Sequence, residues 1–145
     1  MSRAIKFVPA GKHYAQALVL AHWDMVSDDH SGEFALSESP LVQHLCPLVD
    51  GIPSGLWTLI RQSAAVMELH LVSFRGVDTR QVFQALLAHI RATSPEVSRL
   101  RAWVAGDNRP AMLGARRNMQ HIGTEPGALL RGGKYHDLHL FGVGL

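Results

Sequence analysis

The chain has 145 residues, of which 47% are hydrophobic and 18% are charged, enough apolar sequence to build one domain around a single core. This composition excludes an intrinsically disordered chain and a solvated, charged rod. Lys and Arg total 14 and Asp and Glu total 12, so the net charge of +2 gives no indication of a nucleic acid partner.

The first third of the chain predicts a strand, a helix and a loop. Residues 5–8 are a short apolar, β-prone run, and Pro9 and Gly11 end the predicted strand. Apolar residues spaced by three and four predict an amphipathic helix between residues 12 and 26. A polar, acidic loop follows over residues 27–40. One domain, residues 1–145, accounts for the whole chain.

The middle of the chain predicts a helix and then a hairpin. Residues 41–49 predict a second short helix, which Pro47 limits, and residues 50–55 are typical of a turn. Residues 56–61 and 66–73 are rich in large and β-branched apolar residues, so they predict two strands joined by a short polar connection. In the second strand, Glu68 and His70 share one face and the apolar residues share the other.

The last part predicts two further helices between strands. Asp78 begins a capping-box pattern ahead of an apolar stripe that predicts a helix up to about residue 90. Residues 100–105 predict a strand, and Asn108 with Pro110 begins another helix. Residues 122–130 and 135–143 predict a closing pair of strands. The predicted order is therefore β, α, α, β, β, α, β, α, β, β.

Several features argue against an extracellular or membrane protein. The apolar stretches are shorter than the ~18 residues that cross a bilayer, and residues 1–6 show no apolar leader segment. Cys46 is the only cysteine, which excludes an internal disulfide and is typical of a small buried side chain. We therefore expect a cytoplasmic protein without membrane contact.

Charge is unevenly distributed along the chain. Five of the 12 acidic residues lie within residues 24–38, whereas residues 99–117 hold five arginines and one acidic residue. The first segment would attract cations and the second anions. Solvated surface is the alternative interpretation of both.

Three segments resemble one known family. They are the run from Glu68 to Gly76, residues 101–111, and residues 123–131 together with 133–137. They are similar to the central strand with its pyrophosphate loop, the next strand with its helix-opening Asn, and the closing hairpin of the GNAT superfamily of acetyl-CoA-dependent N-acetyltransferases, in the variant typified by ribosomal-protein acetyltransferases. The resemblance implies a mixed α/β (α+β) fold, in which helices flank a mostly antiparallel sheet with one parallel, splayed pair of strands.

The resemblance also implies where acetyl-CoA binds. The implied cofactor-binding residues are Leu71, Ser73, Arg75, Gly76, Arg80 and Asn108. The backbone of the first two would contact the pantetheine arm, the next three would face the phosphates, and the last would hydrogen-bond the distal portion of the cofactor. The expected phosphate site combines loop N–H groups with the N-terminus of a helix.

The chain departs from the family pattern at three places. If Arg75 opens the pyrophosphate loop, Asp78 and Arg80 stand where the family has small residues, and a carboxylate there would repel phosphate. The alternative is that Asp78 is only a helix N-cap. The place of a family tyrosine, the general acid toward the leaving thiolate, falls at Ala115. Arg116 next to it would reach phosphate or simply belong to a solvated face.

Glu68 is the candidate general base, since it lies on the strand that would run beside the acetyl group. His70 on the same face is the alternative base. An ordinary polar pair on a solvated sheet face would also explain both residues. No metal site is expected, because His136 and His139 point to opposite faces of a strand and cannot share one ion.

The leading interpretation is an acetyl-CoA-dependent N-acetyltransferase that acts on an amine of a small molecule or a protein, drawn in by the acidic loop of residues 24–38. The alternative is a catalytically silent GNAT-fold protein with a structural or binding role, for example in a phage virion or a regulatory complex. A homodimer or larger assembly stays open in either case.

Overall fold

The computed structural model describes residues 3–32, 36–73 and 78–145. In chain order, the elements are β1 (Ile5–Pro9), α1 (Lys12–Ala21), α2 (Trp23–Val26), β2 (Val42–Val49), β3 (Ile52–Pro53), β4 (Gly55–Arg61), β5 (Val66–Ser73), α3 (Thr79–Thr93), β6 (Arg99–Ala105), α4 (Arg109–Asn118), β7 (Gln120–Arg131) and β8 (Lys134–Gly144). The predicted order is confirmed apart from residues 41–49, the two-residue strand β3, and a break at His22 that divides the predicted helix of residues 12–26 into α1 and α2.

All of the described strands belong to one sheet in the order β1-β2-β4-β5-β6-β8-β7, with β3 paired to β2. Neighbouring strands are antiparallel except β5 and β6, which are parallel. A parallel pair needs a long crossover, and α3 provides it. The predicted mixed α+β class, with a mostly antiparallel sheet and one parallel pair flanked by helices, is confirmed.

Residues 41–49 form β2, so the predicted short helix there was wrong. This strand lies inside the sheet, where β1 pairs with one side and β4 and β3 share the other. Pro47 lies between the residues that pair with β4 and those that pair with β3, so its missing N–H falls at a break in that ladder. Pairing on both sides outweighs the local helix pattern.

The core lies between α3 and one face of the sheet. The apolar stripe of α3 is buried as predicted: Val82, Phe83, Leu86, Leu87 and Ile90. It packs in one cluster with Trp57, Met67 and Leu69 from β4 and β5. Burying this stripe removes apolar side chains from water, at a gain of about 1.5–3 kcal/mol for each large residue. In the described part of the chain, no helix is long and apolar enough to cross a membrane.

Helix α1 covers the other face of the sheet. The Tyr14 hydroxyl donates to the Gly55 carbonyl at 2.9 Å, accepts from the Gly55 N–H at 3.3 Å and lies 3.6 Å from the Cys46 sulfur. Cys46 alternates along β2 with Leu45, which belongs to the α3 core. Burial raises the pKa of Tyr14 to about 12, so its proton is retained for this contact.

Candidate active site

The parallel strands β5 and β6 form a fork. They pair only from Val66 with Arg99 to Glu68 with Arg101, and then they diverge. Beyond that point β5 remains paired with β4 up to Ser73, and β6 remains paired with β8 up to Ala105. The predicted splayed pair is confirmed. The diverging edges carry backbone N–H and C=O groups that need partners other than a neighbouring strand.

Two helices begin beyond the open end of this fork. β5 leads to α3, which starts at Thr79, and β6 leads to α4, which starts at Arg109. The first turn of a helix presents N–H groups without intrahelical acceptors, and the helix dipole adds partial positive charge. The fork and these two helix ends together can hold an extended molecule with amide groups and a negatively charged end.

Both helices carry a side-chain cap. The Asp78 carboxylate accepts from the Arg80 N–H at 3.1 Å, so the interpretation of Asp78 as an N-cap is confirmed. The Asn108 side-chain oxygen accepts from the Ala111 N–H at 3.2 Å, which leaves its amide N–H bonds as donors. One of the first-turn N–H groups of α3 is therefore already occupied by a carboxylate.

Of the residues implied as phosphate ligands, only Arg80 lies within the described part of the chain. Arg75 and Gly76 lie outside the described residues. The Arg80 side chain lines a shallow groove with Arg3 and Gln84, between α3 and the edge strand β1. A role for these residues toward phosphate stays a prediction.

Glu68 lies at the vertex of the fork, on the face that points away from α3. Its carboxylate accepts from the Gln62 side-chain amide at 3.0 Å and lies 3.3 Å from His70 Nε2. The Glu68 side chain is 17% exposed and that of His70 is 55% exposed. The hydrogen bond with His70 is the main cause that lowers the pKa of Glu68, with Gln62 and the nearby Arg101 adding to it against a smaller opposing effect of burial. The carboxylate is therefore ionised at neutral pH.

The structure thus brings Glu68 and His70 together at the vertex, with His70 two residues farther toward the open end. Leu71 and Ser73 follow along the same arm of the fork, and Leu71 is 43% exposed. Asn108 and Arg80 lie at the helix N-termini beyond the opening. All the described candidate residues therefore line the fork or the helices that follow it.

Gln62 and Arg101 are neighbours of Glu68 that were not predicted from the sequence. Gln62 belongs to the short β4–β5 connection, and Arg101 is the β6 residue paired with Glu68. The register of the predicted hairpin would have pointed to Gln62. The pairing of β6 depends on the α3 crossover and leaves no local signal.

No tyrosine stands on α4. Ala115, where the resemblance puts the family tyrosine, packs against the core. Arg116 and Arg117 are exposed in the last turn of α4, where positive charge complements the helix dipole. Among the described tyrosines, Tyr14 hydrogen-bonds to Gly55, and Tyr135 is 75% exposed beside the turn between β7 and β8.

Asp29 of the acidic loop hydrogen-bonds to the turn of the β7–β8 hairpin. The Asp29 carboxylate accepts from the Gly132 N–H at 2.8 Å and the Gly133 N–H at 2.9 Å, and the Asp29 N–H donates to the Leu130 carbonyl at 2.8 Å. The two glycines have φ of 60° and 73°, the left-handed region that this turn requires. This contact joins residues about a hundred positions apart and was not predicted.

Two further acidic side chains of residues 24–38 are also engaged locally. Asp28 accepts from the His30 N–H at 2.9 Å and the Ser31 hydroxyl at 3.0 Å, and these bonds lower its pKa. Glu38 pairs with Lys12 at 3.0 Å. Glu33 lies outside the described residues. Asp28, Asp29 and Glu38 therefore bind groups of the protein itself, and the attraction of a cationic amine by this loop stays a prediction.

Side chains of the types that bind metals are spread over the described part of the chain. In residues 3–32, 36–73 and 78–145, no group of three or more His, Cys, Asp or Glu side chains is arranged to hold a metal ion. His136 lies 3.7 Å from Asp107, whereas His139 contacts His121. Cys46 is a buried free thiol.

Solved structures of several acetyltransferases are similar to this chain, although its sequence has no match among family models or curated proteins. An acetyltransferase from Salmonella typhimurium that modifies the N-terminal serine of a 50S ribosomal subunit protein has a TM-score of 0.74 at 18% identity, over 97% of this chain and 95% of that chain. NAA60 from Arabidopsis thaliana in complex with a bisubstrate analogue has a TM-score of 0.68 at 14% identity, over 98% and 99%. RimL, a ribosomal-protein alpha-N-acetyltransferase in complex with coenzyme A, has a TM-score of 0.64 at 19% identity, over 92% and 70%.

These similarities cover nearly the whole of this chain. At such low sequence identity they establish the fold, and the chain has the GNAT fold that the three motifs predicted. What the chain does must be argued from its own residues.

Proposed function

We propose that the protein is an N-acetyltransferase that moves the acetyl group of acetyl-CoA to an amine. The fork between β5 and β6, with Glu68 and His70 at its vertex, is the observation that carries this proposal. Two proteins of similar fold support it: an acetyltransferase that modifies an N-terminal serine, and RimL in complex with coenzyme A. The proposal places the protein in the cytoplasm, in keeping with a lone, reduced cysteine.

The residues of the fork fit an acetyl-CoA co-substrate. The unpaired edge of β5 from Leu71 to Ser73 offers backbone groups to an amide-bearing pantetheine arm. The helix N-termini offer N–H groups to phosphates, together with Arg80 and the Asn108 amide. Asp78 is the feature that fits least well, because its carboxylate lies at the same helix end.

The proposed chemistry is proton removal followed by acyl transfer. Glu68 takes one proton from the ammonium form of the acceptor, directly or through one water, and leaves a neutral amine. The amine nitrogen then forms a bond to the acetyl carbon, the carbon–sulfur bond breaks, and the surplus proton on that nitrogen passes to the departing sulfur, directly or through water, so that coenzyme A leaves as a thiol. His70 is the alternative base, and in that case Glu68 orients the imidazole through their 3.3 Å contact. The acceptor is an amine of a small molecule or of a protein.

A catalytically silent GNAT-fold protein is the second candidate. Two features favour it. The Asp78 carboxylate accepts the hydrogen bond of the Arg80 N–H, and Ala115 stands where the resemblance puts the tyrosine that would protonate the leaving thiolate. Such a protein would keep the fold and serve as a structural or binding subunit. Ligand binding and turnover separate the two candidates.

Acetyl-CoA should raise the melting temperature of the purified protein. A ligand that binds only the folded state at a hundred times its Kd stabilises it by about 2.7 kcal/mol, which is roughly 5–10 °C for a domain of this size. The measurement is a thermal scan with 1 mM acetyl-CoA against sodium acetate at matched ionic strength. No shift would contradict the proposed function and favour the silent protein, as would a shift without acetylation of any amine in a broad panel.

Removing the Asp78 charge should tighten acetyl-CoA binding. Asp78→Asn keeps a side chain that caps helices well but loses the charge, so we expect about fivefold tighter binding from the loss of one screened repulsion at short range. Asp78→Gly also frees the Arg80 N–H and should bind at least as tightly. Isothermal titration calorimetry measures both variants against wild type.

Circular dichroism provides the control for these two variants, since the cap contributes to α3. Glu96→Gln removes an exposed carboxylate at the opposite end of α3 and should leave acetyl-CoA affinity unchanged. Weaker binding by both Asp78 variants at unchanged fold would show that the phosphates lie elsewhere.

A further inference from the structure

Three polar atoms converge on the β7–β8 hairpin, away from the fork. His121 Nε2 lies 3.2 Å from His139 Nδ1, and the Thr124 hydroxyl oxygen lies 3.2 Å from the first nitrogen and 3.1 Å from the second. The three atoms therefore form a nearly equilateral triangle. His121 and Thr124 are exposed and His139 is half-buried, so the triangle is open to solvent on one side.

A β-bulge creates this convergence. His121 and Thr124 are three positions apart, so in a regular strand their side chains would point to opposite faces. The register of β7 shifts by one residue between His121 and Gly123, which returns Thr124 to the face of His121. His139 is the direct partner of Thr124 on β8. Bulges re-aim side chains, and this one aims two donor residues of β7 at a histidine of β8.

Hydrogen bonds alone do not account for all three contacts. Each ring nitrogen carries either one proton or one lone pair, which points along a single direction in the ring plane. The Thr124 hydroxyl has one proton to donate. In a triangle, each atom has two partners about 60° apart, so these groups cannot make three well-aligned hydrogen bonds at once.

A shared cation fits the same distances. Two nitrogens that each lie about 2.05 Å from one tetrahedral Zn²⁺ ion are about 3.3 Å apart. The observed separations of 3.1–3.2 Å are close to one face of such a tetrahedron. Neutral imidazole suits zinc, nickel and copper, and the solvent-facing side leaves room for water as a further ligand.

We propose that His121, His139 and Thr124 form a binding site for a divalent transition-metal ion of the Zn²⁺ type. The two imidazoles are the principal ligands, and the third ligand is the Thr124 hydroxyl or a water molecule bound to it. The site lies on the opposite face of the sheet from Glu68, because His139 pairs with Val104 of the buried α3 face. It therefore shares no residue with the proposed acetyl-transfer site. Binding would fasten β7 to β8 and stabilise the folded chain.

Titration of the untagged, chelator-treated protein with ZnCl₂ tests the site. Calorimetry should show one ion per chain, and His121→Ala and His139→Ala should each weaken binding by at least about tenfold, the usual minimum effect of disturbing a metal site. Co²⁺ should give the visible absorption bands of a tetrahedral site in the wild-type protein, and these bands should be absent from the His121→Ala and His139→Ala variants. Circular dichroism checks that each variant is folded.

His13→Ala is the matched control, since it removes an exposed histidine from α1. It should retain wild-type Zn²⁺ affinity and the Co²⁺ bands. Absence of stoichiometric binding would overturn the proposal, and so would an affinity that the His121 and His139 variants share with the control. Neither result bears on acetyl-CoA binding.

Discussion

Glu68→Gln should lower kcat for acetyl transfer by about 10²- to 10⁴-fold while affinity for acetyl-CoA changes little. The amide keeps the shape of the side chain and can still contact Gln62 and His70, but it cannot accept the amine proton. The lost interaction belongs to the transition state, so kcat and kcat/KM should fall together. Steady-state kinetics with a saturating amine measure the change.

His70→Ala is the matched variant, and it should reduce kcat less than Glu68→Gln. The pH profile of kcat separates the two bases further. Because the pKa of Glu68 is lowered, a Glu68 base stays ionised across the neutral range, and its protonation affects the rate only below about pH 4.3. A fall of kcat within the neutral range would therefore argue against Glu68 as the base. The reverse order of the two variants would move the base to His70, and normal rates in both would remove this pair from the mechanism.

The same carboxylate links stability to pH. Its pKa is lower in the folded than in the unfolded chain, so its contribution to stability is present above the unfolded value near 4.3 and is lost as the pH falls through the folded value. Glu68→Gln should therefore lower the free energy of unfolding at neutral pH by the amount that wild type loses on acidification, and the stability of the variant should depend less on pH on the acid side. This readout does not depend on catalysis, so it tests the contact with His70 separately.

Elements with a strong local pattern could be predicted from the sequence. The five buried residues of α3 recur at helical spacing after a capping Asp78, and the structure buries all of them. In β5, strict alternation placed Met67 and Leu69 toward the core and Glu68 and His70 away from it. In both cases the period of the side chains decides the outcome, and no distant contact is needed.

Features set by distant pairing could not be predicted in the same way. β2 has a short apolar pattern with a proline, and only its neighbours on both sides make it a strand. The fork depends on where β6 stops pairing with β5, which the α3 crossover determines. Glu68 could be chosen as a candidate from its strand face, but its position at the vertex and its contact with Gln62 require that register.

Arg131→Met should lower the free energy of unfolding by about 2–3 kcal/mol, between the effects of an exposed and a buried ion pair. Its guanidinium donates to both Asp107 oxygens at 2.8 and 3.0 Å and to the carbonyls of Met25 and Ser27 at 3.0 and 2.8 Å. The Arg131 and Asp107 side chains are only 16% and 25% exposed. Met keeps much of the apolar stem but leaves the carboxylate and two carbonyls without these donors.

The expected fall in melting temperature is roughly 5–10 °C, measured by thermal unfolding at neutral pH. Arg131→Lys should recover only part of the loss, because an ammonium group cannot reproduce the planar fork that contacts Asp107 and the two carbonyls together. Arg91→Met removes an exposed arginine from the last turn of α3 and should change the melting temperature far less. Equal effects of the Arg131 and Arg91 substitutions would mean that this guanidinium does not join the end of α2 to the closing hairpin in solution. A large effect specific to Arg131 would show that this guanidinium does join the end of α2 to the closing hairpin, since the single side chain bonds to the Met25 and Ser27 carbonyls.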